Sequence, residues 1–144
     1  MGTALTIDIA DFKVSDDPQC ELVTFSLGSC IGVAIWDRKA KVGGMIHYML
    51  SDSKISPDKA KGNPAMFADT GIPLLFKSAY ELGAEKKRMV VKVAGGAKLF
   101  NTGDSMDIGR HNYIMLRKIF WRKPMTKKRR RMRRSCRQSA SESM

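Results

Sequence analysis

"CIGVAIWDRKAKVGGMIHY", residues 30–48, contains two short runs rich in β-branched and aromatic residues, joined by the polar stretch 37–41. Runs of this kind, punctuated by glycine and bounded by turn residues, read as strands, and Asp37 stands at a favoured turn position. The stretch therefore predicts an antiparallel hairpin. A turn centred between Arg38 and Lys39 sets Cys30 directly opposite His47, with Cβ atoms roughly 4.5–5.5 Å apart on one face of the sheet. The chain has three cysteines and two histidines in all, so one of each meeting among small residues raises two readings. They are an ordinary buried thiol and a structural imidazole, or they are a nucleophile and its base.

Working outward from the hairpin, "ELVTFSL" (21–27) has the same strand character, and Leu5, Ile7 and Ile9 alternate as a short edge strand within 4–12. "SDDPQ" (15–19) between them is a turn. "SDSKISPDKAKGNP" (51–64) is polar, holds two prolines and reads as an exposed loop. Ile72, Leu75, Phe76, Ala79 and Leu82 then recur at spacings of three and four, which predicts a helix within 65–82 stopped by Gly83. Pro73 fits only the first turn of that helix or a kink. "RMVVKVAGGAKLF" (88–100) reads as a buried strand entering a Gly95–Gly96 turn, and a second helix is expected over 108–121 with Asp107 as its N-cap. Strands followed by alternating helix and strand give an α/β or α+β layered domain.

The composition agrees. With 144 residues, 43% of them hydrophobic and 28% charged, the chain suits one globular domain. No apolar run approaches the ~20 residues needed to cross a bilayer. The N-terminus lacks the basic and apolar regions of a signal peptide, although "MGTALT" satisfies the short myristoylation pattern at Gly2. Cys20, Cys30 and Cys136 are an odd number without a C-x-x-C pair, which argues against a disulfide framework or a structural zinc and for a reducing, cytoplasmic setting. The net charge of +12 belongs to the tail: residues 122–144 hold ten basic side chains against one acidic, residues 1–121 sixteen against thirteen.

The paired side chains suit each other chemically. A thiolate is the reactive form of cysteine, and a neighbouring imidazole can take the thiol proton. Gly28, Ser29, Gly32 and Ala34 leave a substrate room to approach the sulfur, and backbone N–H groups around a sharp "GSC" bend could hold an oxyanion. Gly95 and Gly96 lack the full spacing of a dinucleotide fingerprint and read as a tight turn that could border a substrate groove. His111 reads as a surface residue, Cys20 as an inert thiol at a strand edge, and the ten scattered methionines as core filling.

"TFSLGSCIGVAIWDRKAKVGGMIHYML" (24–50), "DTGIPLLFKSAYELGA" (69–84), "VKVAGGAKLF" (91–100) and "IGRHN" (108–112) resemble, in order, the motifs of the CheD family of bacterial chemoreceptor glutamine deamidases. The resemblance covers roughly residues 20–120. It implies an α/β sandwich similar to the catalytic domain of the cytotoxic necrotizing factor deamidases. It also implies hydrolysis of glutamine side-chain amides on methyl-accepting chemotaxis receptors. The family's nucleophile falls on Cys30, its base on His47 and its hydroxyl-bearing third member on Thr24, with no cofactor or metal. It implies a CheC-like CheY-phosphate phosphatase as a partner.

The resemblance ends near Trp121, which divides the chain into a deamidase-like domain, 1–121, and a basic tail, 122–144, with no hydrophobic period. Three readings of the tail stand: a disordered basic arm, a solvated extension without a role, and a reading-frame artefact in which arginine codons replace expected glycines. Two alternatives to a deamidase also stand. One is a catalytically impaired protein that only engages a CheC-like phosphatase or a receptor. The other, ranked third, is nucleic-acid binding through the tail, which the lack of interleaved aromatic residues disfavours.

Overall fold

The computed structural model describes residues 2–98, 107–122 and 134–135. Its centre is the hairpin read above: β4 (Ile31–Asp37) and β5 (Val42–Tyr48) pair antiparallel. The connection is Arg38–Lys41. The Asp37 carboxylate accepts from the backbone N–H of Lys39 (3.0 Å) and Ala40 (3.1 Å), and Lys41 takes a positive φ of 59°. This closure centres the turn one residue later than expected. The register therefore moves by two: His47 lies opposite Gly32, and Ile31 opposite Tyr48. A shift of two keeps every side chain on its expected face.

Three further strands extend this pair. β2 (Asp11–Ser15) lies antiparallel along β5, and β6 (Val90–Gly95) antiparallel along β4. Beyond β6 the backbone of Arg134–Ser135, numbered β7, runs parallel to Val93–Ala94 and gives the order β2-β5-β4-β6-β7. β1 (Ala4–Thr6) and β3 (Glu21–Val23) form a separate parallel pair. Two expected strands are thus shorter. The 4–12 segment breaks after Thr6 and resumes as β2, with Ala10 at φ 61°. "ELVTFSL" stops at Val23, because the side chain of Thr24 is committed elsewhere and Ser26 bends the chain at φ 57°.

The 51–64 stretch is not all loop. It holds α1 (Pro57–Gly62), flanked by 3-10 turns at Ser53–Ile55 and Pro64–Met66. Pro57 is pre-set for a helix start, and Ser53 is tied by its N–H and hydroxyl to the Asp69 carboxylate at 2.9 and 2.7 Å. α2 (Ala68–Glu81) contains Pro73 on an exposed side, where solvent can reach the carbonyl a turn earlier. Gly83, at φ 105°, ends it, and the N–H of Ala84 reaches back to Ala79 at 3.1 Å. α3 (Ile108–Arg122) starts at Asp107, whose carboxylate accepts from the N–H of Arg110 at 3.0 Å, as expected of an N-cap.

The alternation of β4, β5 and β6 sorts the molecule into layers. Ile31, Val33, Ile35, Ile46, Tyr48, Val91 and Val93 face the helices and pack with Leu75 and Phe76 of α2 and Leu116 and Phe120 of α3. On the opposite face Ala34 and Met45 pack beneath Leu22 of β3 and the flanking Ile7 and Cys20. Each fully buried aliphatic side chain here is worth about 1.5–3 kcal/mol. The result is a layered α/β domain. The expectations for Leu99, Phe100, Cys136 and the tail, apart from the strand at 134–135, lie outside the described residues.

Candidate active site

His47 sits on the β5 face away from the helices and is 0% exposed. Its Nδ1 lies 2.8 Å from Oγ1 of Thr24, and the same hydroxyl lies 2.7 Å from the carbonyl oxygen of Ile7. A carbonyl only accepts, so the single hydroxyl proton goes to Ile7, and Thr24 must accept from Nδ1–H of His47. That assigns the tautomer: the proton is on Nδ1, and Nε2 carries the lone pair. Nε2 is buried and has no hydrogen-bond partner among the described residues. Burial pushes the imidazole below its ordinary value of 6.5, only partly opposed by the charge of Asp8.

Cys30 immediately precedes β4, half-buried against Leu27 and Ala94. Its N–H closes a turn onto Leu27 at 2.7 Å, while Gly28 takes a φ of 49°. The loop is pinned to the end of β6: Gly96 N–H donates to the Cys30 carbonyl at 2.8 Å and Ala97 N–H to that of Gly28 at 2.9 Å. Gly95 has φ 100°, and a Cβ on it would run into the Cys30 carbonyl, so a side chain is excluded by the loop that carries Cys30. The N–H of Gly96 is thus already occupied. Burial pushes the Cys30 thiol above its ordinary value of 9.0, against a smaller lowering by a backbone hydrogen bond. Thiol and imidazole are both shifted towards their neutral forms.

The two groups are not directly opposed, since the register pairs His47 with Gly32. Cys30, two residues before Gly32, lies just outside the ladder, whose last pair is Ile31 opposite Tyr48. Gly32 lets the Leu27 side chain and the Thr24 methyl pack over the intervening position, where a Cβ would come within 3.2 Å of Leu27. Thr24 meets the imidazole as expected, although from a loop rather than a strand. Gly28 and Ser29 form the bend before Cys30, and their N–H groups make no hydrogen bond among the described residues. His111 is exposed on α3, and Cys20 is buried in the small core.

Sequence reasoning missed two participants. One is the Ile7 carbonyl, a backbone group that leaves no signature in side-chain identity. The other is Asn112, which is 0% exposed and whose Nδ2 donates to the carbonyls of Ser29 (3.0 Å) and Met49 (2.8 Å). It lies within the "IGRHN" block, but helical periodicity gives a polar residue there no role. The Tyr48 hydroxyl donates to the Asn112 backbone carbonyl at 2.9 Å; burial, and secondarily Cys30, push its pKa well above 10, so it stays a donor. No group of three or more His, Cys, Asp or Glu among the described residues could hold a metal ion, and none of their helices is long and apolar enough to cross a membrane.

Thr24 and His47 thus meet on one face of a layered α/β domain, with Cys30 in the loop that enters β4. The chain belongs to the CheD family: the family model described as CheD chemotactic sensory transduction matches residues 49–138. Similar proteins include the probable chemoreceptor glutamine deamidase CheD 1 of Syntrophus aciditrophicus, 58% identical over 122 residues, covering 85% of this chain and 76% of that protein. The probable chemoreceptor glutamine deamidase CheD of Solibacter usitatus is 47% identical over 118 residues, 82% of this chain and 70% of its own. The family match begins just after His47. The Syntrophus match covers 122 of 144 residues, too many for one continuous stretch to miss Thr24, Cys30 or His47.

Proposed function

We propose that this chain is a protein-glutamine glutaminase that converts specific glutamine side chains of methyl-accepting chemotaxis receptors to glutamate, releasing ammonia. Cys30 is the nucleophile, His47 the base and Thr24 the residue that orients the imidazole. The observation that carries the reading is Nε2 of His47: a buried lone pair without a partner among the described residues, on a ring whose other nitrogen is held by Thr24.

The pair begins neutral. Nε2 takes the thiol proton as sulfur attacks the glutamine carbonyl carbon, and the oxygen gains the π pair. The N–H groups of Gly28 and Ser29 are the donors we assign to that oxyanion. The imidazolium then gives its proton to the amide nitrogen, the C–N bond breaks, and ammonia leaves a thioester. Neutral Nε2 next takes a proton from water, whose oxygen attacks the thioester; the C–S bond breaks and the imidazolium reprotonates sulfur. Whenever the ring is charged, its Nδ1–H bond to Thr24 strengthens and is relayed to Ile7. No step draws on a metal or cofactor.

The relatives' names and the family resemblance support the receptor as substrate. On the same resemblance we assign a cytoplasmic location and a CheC-like CheY-phosphate phosphatase as partner. The helices on one face of the sheet and the site on the other support a likeness to the cytotoxic necrotizing factor catalytic domain. The test is mass spectrometry of receptor cytoplasmic fragments incubated with the protein. Conversion of particular glutamines to glutamate, lost in Cys30→Ala and kept in Cys20→Ala, is expected. Receptor binding without any mass change would instead identify the chain as a binding-only protein.

A further inference from the structure

The β4–β5 ladder stops where the site begins. Its last pair is Ile31 opposite Tyr48, and the next would set Cys30 against Met49. Met49 instead gives its N–H to Met66 at 2.9 Å, so β5 leaves its neighbour immediately after Tyr48, one residue beyond His47. The two chain segments that carry the thiol and the imidazole are left there with carbonyl groups, those of Ser29 and Met49, both directed at α3. Two acceptors cannot pair with each other. One group that donates twice can join them, and a primary amide does so with a single nitrogen.

We propose that Asn112 is a positioning residue that takes the place of this missing rung and holds Cys30 and His47 in working alignment. Both protons on its Nδ2 are used, one on the carbonyl just before Cys30 and one on the carbonyl two residues after His47. Its Oδ1 is buried without a partner among the described residues, which marks the side chain as kept for its donors. The reverse orientation of the amide would set its oxygen against two carbonyl oxygens, so the chemistry fixes the assignment. The Tyr48 hydroxyl, from the residue beside His47, ties the same helical turn to the strand through the Asn112 carbonyl. Cys30 and His47 make no hydrogen bond to each other in this structure, so their alignment depends on the backbone that Asn112 joins.

The role rests on the Cys30–His47 deamidase reading, and the experiment separates the two. The rate of Cys30 alkylation by iodoacetamide is measured across pH for the full chain, for Asn112→Ala, for His47→Ala and for the double variant, alongside receptor deamidation and thermal melts. Asn112→Ala is expected to lower kcat by about 10–100-fold, the scale of a roughly 1 Å misplacement, with KM changed less than about threefold. Alkylation near neutral pH should fall as well, yet Asn112→Ala should add nothing once His47 is alanine, because it acts through the pair. A folded Asn112→Ala protein with wild-type kcat and alkylation profile overturns the proposal, as do losses that multiply in the double variant. Should Asn112→Ala not fold, Tyr48→Phe releases the same helical turn, and a wild-type alkylation profile there overturns it equally. Wild-type protein that leaves the receptor unmodified defeats the deamidase reading, and the alkylation series alone then decides whether Asn112 aligns the pair.

Discussion

Thr24 and His47 share a 2.8 Å hydrogen bond whose direction is decided by a third group, the Ile7 carbonyl 2.7 Å from the same hydroxyl. A backbone atom near the N-terminus thus determines which imidazole nitrogen is basic. The hydroxyl is a relay between the two, and it needs an oxygen but not a methyl group.

Thr24→Val keeps the shape and removes the relay. We expect its deamidation rate to fall about 10²-fold, the scale of a lost acid–base function, while Thr24→Ser stays within a few-fold of wild type. Nitrogen NMR of the His47 ring should find the proton on Nδ1 in the wild type and a mixture in Thr24→Val. A wild-type ring protonated on Nε2 would overturn the relay.

The neutral resting pair has a pH signature. With the thiol raised and the imidazole lowered, Cys30 alkylation should climb towards alkaline pH, without the acidic plateau of a preformed thiolate–imidazolium pair. His47 also couples pH to stability. Its folded pKa lies below the ordinary 6.5, so the unfolded chain binds more protons between the two values, and stability falls as pH drops through that window. His47→Gln should flatten this part of a urea-denaturation pH series.

Gly95 and Gly83 make a matched pair, at φ 100° and 105°. Among the described residues a Cβ at Gly83 meets nothing within 4 Å, whereas one at Gly95 strikes the Cys30 carbonyl. Gly83→Ala should cost only backbone strain, about 1–3 kcal/mol, and leave Cys30 reactivity unchanged. Gly95→Ala should cost more and alter the alkylation rate of Cys30 in the molecules that remain folded. Equal effects of the two on both readouts would contradict the collision.

Asp37 is 0% exposed and accepts from Lys39, Ala40 and Glu85 backbone N–H groups and from the Arg88 guanidinium, which also pairs with Glu85. Burial alone would raise its pKa, but Arg88 and the backbone donors outweigh it and hold the carboxylate below its ordinary 3.8. The stability it confers is complete above that value and is lost as pH falls through the lowered one. Asp37→Ala should destabilise the domain by about 3–5 kcal/mol, readable as a shifted urea midpoint, because it strands a partly buried guanidinium and several amides.

The hairpin, both main helices and the α/β layering were legible, because alternation and helical spacing report burial directly. The exact register was not: it depends on Asp37 capping the loop and on Lys41 at positive φ, neither of which composition exposes. Thr24 was named through family resemblance, and geometry supplies its partners. Asn112 escaped because its function is to donate to two carbonyls from distant segments, and backbone acceptors look alike in every sequence.

β5 serves both sides of the sheet at once, with Ile46 and Tyr48 in the helical core and Met45 and His47 on the opposite face. A slip of one residue would drive the imidazole among the aliphatic side chains and turn the tyrosine ring outward. Misregistered molecules would therefore be both unstable and inert. The strand proofreads itself: a single register sets both the aliphatic core and the imidazole, so a chain that misplaces one cannot keep the other.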